Sequence, residues 1–137
     1  MSQPMFEADD LAAELPPPGF YRSQITHACF RRSVGGNWML QVVHALRGVP
    51  AQFQRVAEYF VFEGATAHGL ALARRRLIEL YRVCGLEPAA GTEIRPAELE
   101  GAELDVRVAH DEWEGQPRLR VMGHRRPDPR LSDGVPF

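Results

Sequence analysis

The sequence predicts a mainly β chain: a five-stranded barrel with one helix between strands 3 and 4. Three observations carry this expectation. Short stretches of alternating apolar and polar residues recur along the chain, only one stretch repeats at helical spacing, and it falls between the third and fourth strands. A length of 137 residues allows one domain with a modest core.

The first strand is "FYRSQITHACFRR", with Tyr21 and Ile25 on one face. Cys29 continues that face unless a bulge passes the place to Ala28. "SVGGN" is a turn, and "WMLQVVHALRG" a strand with Trp38, Leu40, Val42 and His44 on one side. "FQRVAEYFVF" is aromatic and β-branched enough for a third strand. The helix spans roughly 68–84, capped by Thr66 and stopped by Gly85, with Leu70, Leu77, Leu80, Tyr81 and Cys84 as its apolar stripe. After the acidic loop "EPAAGTEIRPAELEG", "AELDVRVAHDEWEGQPRLRVMG" reads as a hairpin whose inward positions are Leu104, Val106, Val108, Leu119 and Val121.

This element order is that of an OB-fold, a partly open barrel that a single helix plugs at one end. The alternative is an antiparallel sheet packed on the helix without barrel closure. Residues 1–18 read as a flexible acidic, proline-rich lead-in, 19–124 as the OB-fold domain and 125–137 as a C-terminal tail ending in Pro-Phe.

Net charge is −2, but it is sorted. Residues 1–19 total −4, 20–86 total +6, 87–115 total −7 and 116–137 total +3. Lysine is absent, so every cationic side chain other than histidine is a guanidinium, suited to paired contacts with phosphate and to stacking on rings, unless codon bias alone explains the choice. No apolar run reaches a membrane span of roughly 18 residues, and the N-terminus lacks a signal-peptide pattern, so a cytoplasmic location is expected. Cys29 and Cys84 read as reduced, buried thiols. Nucleotide-binding and hydrolase motifs are absent, and the five histidines show no helical pair and no carboxylate at metal spacing. The expectation is a protein that is not an enzyme, with no cofactor and no metal.

The frame "LPPPGFYRSQI", the "GG" turn, the "LEG" entry to the fourth strand and the "EGQPRLRV" hairpin resemble a family of short phage and prophage proteins. That family is grouped by fold with single-stranded DNA-binding OB proteins. The resemblance covers about residues 15–125 and rests on framework positions. It implies the fold and, through the family's usual gene neighbours, a setting in DNA recombination or DNA replication. The ending "SDGVPF" is similar to the tail of bacterial single-stranded DNA-binding proteins, with Asp133, Pro136 and Phe137 in matching places. That likeness implies a docking peptide for recombination or replication proteins, its terminal ring in an apolar pocket and its carboxylate on a basic residue.

Sequence-independent binding of single-stranded DNA needs cations for phosphates and rings on which bases stack. The candidate cations are Arg22, Arg31, Arg32, Arg55, Arg107, Arg118 and Arg120. Four of them, Arg22, Arg107, Arg118 and Arg120, have parity opposite to the apolar core positions. The candidate rings are Trp38 and Tyr59, although Trp38 shares parity with core positions and Phe60 and Phe62 are better core residues. Trp113, among acidic neighbours, is a candidate partner contact. The cluster Arg74, Arg75 and Arg76 reads as solvated surface or a partner contact. The competing function is a protein-protein interaction or regulatory module on an OB-like fold without nucleic-acid binding. Oligomeric state is not legible, and a homodimer is one way to lengthen the binding track of so small a domain.

Overall fold

The computed structural model describes residues 3–4 and 15–131. Strand β1 (Gly19–Arg32) is long because alternation is interrupted only once, where the pairing register shifts between Ile25 and His27. That bulge buries Ala28 and leaves Cys29 half-buried, the second of the two outcomes the sequence leaves open. Strand β2 (Trp38–Leu46) pairs with β1, and β3 (Arg55–Val61) pairs with β2. Helix α1 (Ala67–Val83) follows. Its Thr66 cap accepts a 3.0 Å hydrogen bond from the Gly69 N–H, and Gly85 takes φ +82 just beyond its end. Strands β4 (Glu103–Trp113) and β5 (Gln116–Arg125) form the expected hairpin, and β4 pairs with β1.

The five strands form one antiparallel sheet in the order β3-β2-β1-β4-β5. The sheet is not closed, which corrects the expectation of an OB-fold barrel. Strands β3 and β5 are its two edges and share no backbone ladder. Each strand reverses the direction of its neighbour, so these edges run parallel to one another. Side chains link them instead, Glu58 of β3 to His124 of β5. The architecture is the open alternative: a curved antiparallel sheet with one helix after strand 3, α1 packing on β3 and β5.

The concave face holds the core. Ile25, Leu40, Val42, Phe60, Leu104 and Val106 have no exposed surface, and α1 adds Ala73, Leu77, Leu80 and Tyr81. Leu80 alone, fully buried, contributes about 2–3 kcal/mol by removing its side chain from water. The chain is held at both margins of the described region. Leu15 and Pro16 are buried, and the Tyr21 hydroxyl donates to the Pro17 carbonyl at 2.7 Å. After β5, residues 126–131 fold back over the convex face, where Leu131 is buried. Asp105 accepts there from Arg22 Nε at 2.7 Å, Arg125 Nε at 3.3 Å and the Asp128 N–H at 2.8 Å. Among the described residues no helix is long and apolar enough to cross a membrane.

Candidate functional site

Two features meet between the edge strands: a basic cleft open to solvent and, beside it, a buried ion network. The cleft has a volume of 540 Å³ and carries four arginines. Alternation on β3 places Arg55 and Tyr59 outward, with Val56 and Glu58 inward. Alternation on β5 places Arg118 and Arg120 outward, with Leu119 and Val121 inward. Arg76 reaches the same cleft from α1. Glu58 is the one carboxylate among the lining residues, and Asp111 stands behind the β5 pair, 3.2 Å from Arg118 and 3.9 Å from Arg120. The lining guanidiniums outnumber the carboxylates that meet them, so the cleft favours an anion.

Among the candidate positions, Arg55, Tyr59, Arg118 and Arg120 come together here. Tyr59 is 44% exposed, and its hydroxyl accepts from Gln41, whose side-chain carbonyl in turn accepts from Arg31 at 2.8 Å. Arg31 is thus tied to the cleft margin through β2. Trp113 is 57% exposed at the β4–β5 tip, with the Arg118 guanidinium 5.9 Å from its ring. Trp38 is 43% exposed and lies on the other face, under Arg32 at 4.1 Å. It borders a separate apolar groove with Phe30, Phe62 and Ile94. Trp38 shares the parity of the core, but it begins β2 beyond the reach of the helix, so its ring is not covered. Arg107 is exposed, its guanidinium near Gly123. Arg22 is drawn to Asp105 and to the carbonyls of Asp128 and Leu131 under the returning segment. Asp133, Pro136 and Phe137 lie outside the described residues.

The second feature has no local signal in the sequence. His44 of β2, Glu58 of β3 and His124 of β5 meet in the interior, 14 and 66 residues apart along the chain. Glu58 Oε1 lies 2.9 Å from His44 Nε2, His124 Nε2 lies 2.9 Å from both carboxylate oxygens, and Oε2 also accepts from Arg76 at 2.7 Å. The outer ring nitrogens are also engaged: His44 Nδ1 with Ser23 Oγ at 3.1 Å, and His124 Nδ1 with Glu79 Oε1 at 2.9 Å. Glu79 also accepts from the His124 backbone N–H.

Both nitrogens of His124 face carboxylates, an arrangement that favours the ring with a proton on each. Burial works against that charge, but the hydrogen bonds and charges of Glu58 and Glu79 outweigh it and raise the pKa above its ordinary 6.5. Burial likewise opposes the Glu58 charge, and bonds from His124 and His44 overcome it, holding the carboxyl at about 2. The order Ser23–His44–Glu58 matches the contacts of a nucleophilic triad, but Ser23 has no exposed surface through which a substrate could reach it. Cys84 is half-buried, and burial pushes its thiol up to about 11, away from the reactive thiolate.

No family model matches the chain, and no curated protein matches it. The attribution to a phage or prophage DNA-binding family, with the DNA recombination and DNA replication roles drawn from it, is therefore without support, and the open sheet departs from the OB-fold that it implied. The description that stands is a mixed α/β domain with an open five-stranded antiparallel sheet.

Proposed function

We propose that the protein binds single-stranded nucleic acid without base preference, DNA being the expected form, along the cleft between β3 and β5. One observation carries the reading: Arg55, Arg76, Arg118 and Arg120 line a single cleft with the exposed ring of Tyr59. Guanidiniums meet phosphates through paired donors, and a half-exposed phenol offers a face to any base, so neither contact reads sequence. Trp113, with Arg118 beside it, extends the same combination toward the hairpin tip. A cytoplasmic setting belongs to the same proposal.

The test is fluorescence anisotropy with a labelled single strand and its duplex at low and high salt. Preferential, salt-sensitive binding of the single strand is expected. Tyr59→Ala should cost about 1–3 kcal/mol, the worth of one stacked base. Arg120→Ala should lower the salt slope by about 1. No binding to the single strand at low salt removes the reading. The alternative, a protein-interaction module, draws on the apolar groove of Phe30, Trp38, Phe62 and Ile94. It predicts no nucleic-acid binding and a loss of protein capture on Trp38→Ala.

A further inference from the structure

We propose that His44 Nε2, His124 Nε2 and Glu58 Oε1 form a site for a divalent transition-metal ion of the zinc type, with water from the adjoining cleft as fourth ligand. The inference is independent of nucleic-acid binding. Its first support is convergence: three donors of the two-histidine, one-carboxylate set, from three strands, all buried and within 4.8 Å of one another.

Orientation is the second support. Each ring turns one nitrogen to Glu58 and has the other held from outside, His124 by the Glu79 carboxylate and His44 by the Ser23 hydroxyl. A carboxylate behind a histidine is the arrangement that fixes the ring and raises its basicity as a ligand. The division of labour on Glu58 is the third support. Oε1 lies 2.9 Å from both rings, and Oε2, also 2.9 Å from His124 Nε2, is the oxygen that Arg76 holds, so the carboxylate can ligate through Oε1 without losing its cationic partner. Glu58 and Arg76 also line the cleft, which provides the way in.

An ion at this point takes the place of the protons on the two Nε2 atoms. His124 keeps its Nδ1 hydrogen for Glu79. The His44 hydrogen moves to Nδ1, where the Ser23 oxygen can accept it once the hydroxyl turns. Tetrahedral bonds of about 2.0–2.1 Å set ligand atoms about 3.4 Å apart. Ring nitrogens that lie within 4.8 Å of one another therefore close by at most about 1.4 Å, and the Glu58 oxygen, now 2.9 Å from each, draws back by about 0.5 Å.

The experiment uses the full chain, stripped with chelator and dialysed, then titrated with zinc chloride and, separately, cobalt chloride. Equimolar zinc by calorimetry, a raised melting temperature and the visible absorption of tetrahedral cobalt are expected. His44→Gln should abolish all three. Glu79→Gln should weaken affinity about 10–100-fold, as loss of an outer carboxylate does. Because Glu79 is half-exposed, that variant is expected to fold even if His44→Gln does not. Absence of equimolar binding overturns the proposal. So does binding that His44→Gln leaves intact, or an affinity that Glu79→Gln does not change.

Discussion

Glu58→Gln is the substitution that most directly weighs the ion network against the fold. The carboxylate is almost fully buried, and its two oxygens receive His44, His124 and Arg76. Glutamine keeps the shape but offers one acceptor and one donor group, so its amide hydrogens must face a ring N–H or the guanidinium. Arg76 can turn into the cleft, because its side chain is 36% exposed. His44 can shift its hydrogen to Nδ1 and accept from the new amide. His124 has no such freedom, because its other nitrogen already donates to Glu79. Removing one partner of a buried pair costs about 3–5 kcal/mol, and the two available relaxations put Glu58→Gln near the lower end, about 3 kcal/mol. With a urea slope of about 2 kcal/mol/M, the unfolding midpoint should fall by about 1.5 M. The control is Glu79→Gln, which removes the other carboxylate from the same ring. Its side chain is 48% exposed, so solvent screening should hold its loss below about 1 kcal/mol. Urea titrations of both variants in chelator, followed by tryptophan fluorescence, measure the difference. Equal losses would refute the reasoning, because burial would then not be what gives the network its weight.

Acidity should act through the same groups. The folded pKa of His124 is raised, so its contribution is complete below the unfolded value of 6.5 and is lost as pH rises through the folded value; urea midpoints in chelator should fall over that interval. Glu58 is depressed to about 2, so its contribution is present above 4.5 and is lost as pH falls toward that value, which acid titration of the far-ultraviolet signal will follow. Gly64 takes φ +78, and a Cβ there would collide with the Asn37 side-chain amide; Gly64→Ala should cost about 1–2 kcal/mol, read as a lowered melting temperature. Leu80→Ala removes a fully buried helix side chain and should cost about 2–5 kcal/mol in denaturant titration.

The strands and helix were legible because their signals are local. Period-two parity marks β2, aromatic and β-branched composition marks β3, and the Thr66 cap and Gly85 stop mark α1. Closure was not legible, because it depends on whether two strands distant in sequence meet by backbone or by side chain. Parity marks the outward face but not what covers it. Arg22 has outward parity, yet the segment after β5 folds over it and engages its guanidinium. Trp38 has core parity but lies where the helix does not reach. In the cleft, outward positions on two strands stay outward, and Arg55, Tyr59, Arg118 and Arg120 come together as the alternation allows. His44 and Glu58 sit in apolar runs and His124 before two arginines, each without a local partner, and only the approach of the two edge strands brings them into contact.

The sheet order also constrains how the chain folds. The pairs β1–β2, β2–β3 and β4–β5 join neighbours in sequence and can form as local meanders. Only β1–β4 joins distant residues, with Arg22 opposite Asp105. Closing that loop costs chain entropy before long-range contacts compensate, so joining the two meanders should set the folding rate. His124 cannot reach Glu58 until both meanders are in place. The buried ions therefore belong to the last stage of assembly: their loss should speed unfolding far more than it slows folding.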